Sequence, residues 1–161
     1  DGSHITLTSE GQELAQQVVR RHRLAERFLT DILGLSWANA HQEAGKWEHV
    51  MSNEVEVAIN RVLGGPTTCP HGNPIPGSSY IDTHAVPLSQ LQSGADFTVS
   101  RIPEELEFAP GLLDFLQESF ILPGRRGHIT SLQNDGSISV EIEGRVIGVS
   151  AFASARILVT S

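Results

Sequence analysis

The sequence predicts an α+β protein, an all-α part followed by a small, partly barrel-like β domain. Three observations predict it. Apolar residues recur at helical spacing as far as Gly64. A stretch rich in Gly, Pro, Ser and Thr then runs from Gly64 to Ser79 and cannot continue a helix. Beyond Ala95, short runs with strand character alternate with turn signals. These changes place a helical domain over 1–77, a linker over 78–95 and a β domain over 96–161.

The elements follow in order. Ile5 to Leu7 read as the end of a strand. Thr8 or Ser9 caps a long helix reaching about Leu33, with Leu14, Val18, Ala25, Phe28, Leu29 and Ile32 as its apolar stripe and Gly34 as its stop. A second helix runs from near Ser36 to about Val50. A third begins at Ser52 or Asn53, where Asn53 and Glu56 have capping-box spacing, and it ends at Gly64-Gly65-Pro66. In the β domain, strands are expected at 97–102, 127–133, 137–143 and 156–160, with a short helix from Gly111 to Phe120. Asn134-Asp135-Gly136 is a hairpin signal, and Leu122-Pro123-Gly124 is a turn.

Bulk properties narrow the function. With 161 residues, 39% hydrophobic and 19% charged, the chain reads as globular rather than disordered. No apolar run approaches the roughly 18 residues that span a bilayer, so no membrane partner is expected, and without a charged-then-apolar stretch at the start secretion is not expected either. A single cysteine, Cys69, forms no internal disulfide and suits a reducing, cytoplasmic setting. Formal net charge is −8, from 11 basic and 19 acidic residues. A domain that grips DNA by itself carries a basic face. The one basic cluster here, Arg20, Arg21, Arg23 and Arg27, is expected to be a solvated helix face.

The residues that carry chemistry are His, Glu and Cys. His22 and Glu26 lie one turn apart on the first helix. On the second helix His41, Gly45, Glu48 and His49 share a face at i, i+4, i+7 and i+8. Taken singly, a His–Glu pair is an ordinary surface feature. Five such residues facing one another are costly to bury without a cation, which accepts imidazole nitrogen and carboxylate oxygen together. Cys69-Pro70-His71 adds a thiol and an imidazole in a rigid turn. Cys–His catalysis is disfavoured, because no third group is placed to orient the pair. His4, His84 and His128 have no evident partners and read as surface or locally bonded residues.

These residues carry a resemblance. His22-Arg-Leu-Ala-Glu26-Arg, Glu43-Ala-Gly-Lys-Trp-Glu48-His49-Val-Met-Ser and Gly72-Asn-Pro-Ile-Pro-Gly77 together resemble the DtxR family of iron- and manganese-dependent transcriptional repressors. Leu7-Thr-Ser-Glu-Gly11 resembles the junction that follows that family's winged helix-turn-helix. The resemblance is strongest over 5–77, and it implies that the part beyond 95 is a FeoA-like small β-barrel. It further implies that the helical part binds metal and dimerises, aided by Val55, Ile59 and Val62, and that a homodimer controls a palindromic operator.

The implied ligands divide into sets. His22, Glu26 and His41 match the family's ancillary site. Glu48 and His49 match its activating site, in which Gly45 stands where the family has Cys or Glu. A manganese-responsive branch holds metal through the equivalents of Glu26, Cys69 and His71 plus a barrel carboxylate, which here is Glu104, Glu105 or Glu107. Arg23 and Asn73 match an anion-binding pocket. Mn(II) or Fe(II) is the implied cofactor, with Zn(II) or Co(II) accepted in vitro.

No helix-turn-helix precedes Asp1, so the chain is expected to be a fragment whose basic DNA reader lies elsewhere. Two further readings stand beside the regulator. One is a dimerisation module whose metal only holds the fold. The other is a metallohydrolase, for which no general base sits beside the ligands; the chain is expected not to be an enzyme.

Overall fold

The computed structural model describes residues 6–161. His4 and Ile5 lie outside the described residues, and Thr6 and Leu7 form no strand.

The architecture is α+β. The first helix, α1, spans Ser9–Asp31. Thr8 Oγ1 caps it by accepting from the Gly11 N–H at 3.1 Å. Gly34, at φ +72°, takes the left-handed turn that follows. The helix buries Leu24, Ala25, Glu26 and Leu29, whereas Leu14 and Ile32, expected in the apolar stripe, are exposed. Helix α2 (Trp37–Trp47) is capped by Ser36 and packs along α1. Its contact face carries Ala40 and Ala44, both fully buried, whose small side chains allow close approach. The helix stops three residues short of the expected Val50, and residues 48–50 form a turn.

Helix α3 (Asn53–Val62) is capped by the Ser52 side chain. The expected capping box does not form. Glu56 instead accepts from Arg20 at 2.8 Å and from Arg21 at 3.1 Å on α1. The arginine cluster is therefore not a solvated face. Arg20 and Arg21 tie α1 to α3, while Arg23 and Arg27 donate to the carbonyls of Pro74 and Thr68 in the 64–79 loop. Loop carbonyls leave no mark in a sequence, so these partners were not legible there.

That loop is ordered by its own bonds. Cys69 N–H donates to Asn73 O at 2.9 Å, and Gly72 N–H to Cys69 O at 3.0 Å. Gly72 sits at φ +84°, and a Cβ there would meet Ser100 O at 2.4 Å. Only glycine lets this turn lie against the start of the β part. The Ile102 N–H donates to His71 O at 2.8 Å and pins the contact.

The β part is one antiparallel sheet of six strands. They are β1 (Val86–Pro87), β2 (Asp96–Arg101), β3 (Arg126–Leu132), β4 (Ile138–Ile142), β5 (Arg145–Val149) and β6 (Leu158–Thr160), in the order β1-β6-β2-β3-β4-β5. The expected barrel is an open sheet, because no ladder joins β1 to β5. At one edge β1 is two residues long and ends in Pro87, which has no N–H to give. Strand β1 falls within the stretch read as linker. Strand β5, unread in the sequence, is an outer strand with a mostly exposed pattern. The Asn134-Asp135-Gly136 hairpin forms between β3 and β4 with Gly136 at φ +84°.

Short helices α4 (Glu104–Glu107), α5 (Leu112–Glu118) and α6 (Ala151–Ser154) pack on the sheet. Two hydrophobic clusters result. One lies among α1, α2 and α3, with Ile59 and Ile75 inside it. The other lies between the sheet and α4–α5, and Trp37 of α2 belongs to it. The Trp37 N–H donates to Gln117 Oε1 of α5 at 2.8 Å, so α2 bridges both clusters. The polar residues described next lie where the two meet.

Candidate metal centre

Glu26 is the hub. It sits on the buried stripe of α1, between residues that face the helical cluster, and is 1% exposed. His22, one turn earlier, brings Nε2 to 3.1 Å from Glu26 Oε1. His41 of α2 brings Nδ1 to 2.9 Å from the same oxygen. The Nε2 of His22 and the Nδ1 of His41 are 3.2 Å apart.

The β part supplies the next donor. Glu107, on the last turn of α4, is buried, with Oε2 at 3.3 Å from His41 Nδ1 and Oε1 at 3.0 Å from His71 Nδ1. Of the three carboxylates left open by the sequence, this is the one turned inward. Glu104 lies 3.5 Å from Arg23, and Glu105 accepts from Arg156 at the surface. The Cys69–His71 turn closes the far side. His71 is 1% exposed, and its ring meets Trp37 edge-on, with centroids 4.5 Å apart.

The donors fall into two groups, His22–Glu26–His41–Glu107 and Glu26–Cys69–His71, each with its donor atoms within 4.8 Å of one another. Both contain Glu26. Ligands of one cation stand at such separations.

The charges respond to this crowding. Burial opposes a charge on His22, but the carboxylates of Glu26 and Glu48 outweigh it and raise the ring to about 9 from an ordinary 6.5. Burial likewise opposes ionisation of Glu26, yet hydrogen bonds from His22 and His41 draw it down to about 2. His41 is raised chiefly by its bond to Glu26. Burial, then the negative Glu26 and Glu107, push the Cys69 thiol well up. Protons on the imidazoles thus partly fill the role of a cation, while the thiolate is strongly disfavoured.

The protons do not complete the set. Glu26 Oε2 and both nitrogens of His71 are buried with no hydrogen-bond partner. His71 Nδ1 is close to Glu107 Oε1 yet not aligned for a bond. Orphaned buried polar atoms are rare, because each loses its hydration without return. His71 Nδ1 stands 3.6 Å from Glu26 Oε1 and 3.0 Å from Glu107 Oε1, and Cys69 belongs to the same donor group, so the set fits a divalent cation.

The remaining candidates are placed differently. Glu48, at the end of α2, accepts from His22 Nδ1 at 2.6 Å. His49 is not on the shared face, because α2 has ended before it. Its side chain is 66% exposed and touches Glu48 alone in the set. Gly45 lines an open recess of about 520 Å³ over His22 and His41. Arg23 and Asn73 share no hydrogen bond; Arg23 donates to the neighbouring Pro74 carbonyl. Asn73 donates to Ile102 O and Glu107 Oε1, both at 2.9 Å, and so faces the carboxylates. His84 bonds only through its backbone N–H to Asp82, whereas His128 pairs with Asp96 at 2.8 Å. Sequence reasoning missed Trp37 behind His71, and it named Asn73 for an anion pocket rather than for its bond to Glu107; neither spacing nor residue type signals those contacts.

Residues 8–77 match the iron dependent repressor metal binding and dimerisation domain. The chain is 37% identical over 152 residues to the iron-dependent repressor IdeR of Mycobacterium tuberculosis, covering 88% of this chain and 66% of that protein. It is 55% identical over 108 residues to the diphtheria toxin repressor of Corynebacterium jeikeium, covering 64% of this chain and 45% of that one. A manganese-dependent transcriptional repressor superposes with a TM-score of 0.85 at 33% identity, over 97% of this chain and 85% of the other. A manganese-dependent repressor in complex with manganese gives 0.85 at 34%, over 100% and 77%. The chain thus spans 66% or less of the curated relatives named here.

Proposed function

This chain belongs to the DtxR family of metal-dependent transcriptional repressors, and we propose that it is the metal-sensing and dimerising part of a regulator responding to Mn(II) or Fe(II). The helical unit of 1–77 senses and dimerises, and 96–161 is the β unit joined to it through 78–95. A DNA-binding domain outside these residues reads the operator. The observation that carries the reading is the buried Glu26–His71–Glu107 set with its orphaned donor atoms.

His22, Glu26, His41, Cys69, His71 and Glu107 hold the ion. A bound divalent cation supplies the positive charge that lets carboxylates, imidazoles and a thiolate share one buried space. Carboxylates favour manganese, and imidazole with thiolate admits iron, zinc and cobalt. Donors from α1, α2 and the 69–73 turn face Glu107 from the β part. The chain's own residues therefore bring the two hydrophobic clusters together when they share an ion. Ligand binding shifts such an arrangement only by differing affinity for its two states, and Glu107 is the donor whose distance would differ.

A purely structural metal is the competing reading. It is favoured if the β part keeps its position with and without metal, as read by small-angle scattering. A hydrolase finds no support in the relatives, which are repressors. The test of function is binding of Mn(II), Fe(II), Co(II) and Zn(II) by the wild type, Glu26→Ala and Cys69→Ala. Loss in the variants supports the site, and unchanged affinity in both removes it. Fusing the chain to a relative's winged helix-turn-helix and measuring operator binding with and without metal tests the switch.

A further inference from the structure

Glu48 lies beside the metal centre but in neither donor group. Its Oε2 accepts from His22 Nδ1 at 2.6 Å, and its Oε1 lies 3.1 Å from His49 Nε2. Both oxygens are thus engaged by imidazoles. On the opposite edge of the His22 ring, Nε2 faces Glu26 Oε1 and His41 Nδ1. One ring therefore has a carboxylate on one nitrogen and the donor cluster on the other. Gly45, one turn back on α2, adds no side chain that could join Glu48 in a second donor set. His49 is exposed and reaches nothing deeper.

We propose that Glu48 is a positioning residue: it holds the proton on His22 Nδ1 so that Nε2 is presented to the metal, and it is not itself a ligand. A carboxylate on the outer nitrogen fixes the tautomer and ring orientation and makes the inner nitrogen a better donor. The inference rests on the metal reading above. It assigns Glu48 a role opposite to the one suggested by its pairing with His49 in the sequence.

The test compares the wild type with Glu48→Ala, Glu48→Gln and His22→Ala, each loaded with cobalt and with zinc. Glu48→Ala is expected to weaken cobalt binding by about 10–100-fold, the usual cost of losing such a partner. Its cobalt absorption bands should keep the wild-type positions, because no ligand is lost, whereas His22→Ala should shift them. Glu48→Gln should recover most of the affinity, since the amide oxygen still accepts from Nδ1–H. Nitrogen-15 spectra of the zinc form should show His22 protonated at Nδ1 in wild type and Glu48→Gln. Shifted cobalt bands in Glu48→Ala, a Gln variant as weak as Ala, or unaltered affinity in both would each overturn the proposal. Should Glu48→Ala fail to fold, Glu48→Gln still decides it. A wild type that takes up neither ion would instead remove the metal reading itself, and this inference with it.

Discussion

At the scale of single residues, Glu26 carries most of the chemistry. It is in both donor groups, and burial leaves it dependent on its neighbours. Glu26→Ala should lower Mn(II) affinity by about a hundredfold or more, beyond what an orienting partner contributes; isothermal titration measures it. The same contacts set a pH dependence in the metal-free protein. His22 is raised from 6.5 to about 9, so its stabilising contribution is fully present below pH 6.5 and is lost as pH rises through 9. Glu26 is lowered from 4.5 to about 2, so its contribution is present above pH 4.5 and is lost as pH falls through 2. Urea unfolding of the metal-free chain should show stability falling from pH 6.5 to 9. Metal affinity should rise over the same interval, because the ion displaces the His22 proton. Stability that climbs with pH there would contradict this assignment of charge. His22 and Glu26 were legible in the sequence because helical spacing alone puts them on one face. The inward choice of Glu107 was not, since a four-residue helix has no periodicity to separate it from Glu104 and Glu105. Nor was the engagement of Glu48, which depends on which edge of an imidazole it meets.

At the scale of elements, the site depends on how α1, α3 and the 64–79 loop are joined. Glu56, on α3, is shared by Arg20 and Arg21, all three partly buried. Glu56→Ala should cost about 1 kcal/mol, at the upper end of the range of exposed pairs, read as a shift in urea midpoint. Gly72→Ala should cost more, about 1–3 kcal/mol, because the residue has positive φ and faces the Ser100 carbonyl. It should also weaken metal binding by displacing Cys69 and His71, which a surface change of equal cost would not do. The three long helices and their caps were readable from Thr8, Ser36 and Ser52, since capping chemistry is local. The arginine bridges and β5 were not, because their partners lie far off in the chain.

At the scale of the whole molecule, the centre sits between the two hydrophobic clusters and takes donors from both sides. The order of a helical part and then a β part was visible from the change of period near residue 95. The opening of the sheet was not, because closure depends on edge pairing between β1 and β5, which alternation of side chains does not encode. The proposed dimer rests on the family's dimerisation domain, aided by exposed apolar residues of α3. Val55, Val57 and Val62 face outward, while Ile59 is in the core and unavailable. Sedimentation should find a dimer, and Val55→Asp with Val62→Asp should raise its Kd by about tenfold or more. The central claim is that one buried centre joins the helical part to the β part through metal. Anomalous diffraction from a manganese-soaked crystal tests it most directly. A peak within about 2.0–2.3 Å of Glu26, Glu107 and at least one of His41 and His71 is the predicted result. A peak at Glu48 and His49 with none at Glu26 would contradict it.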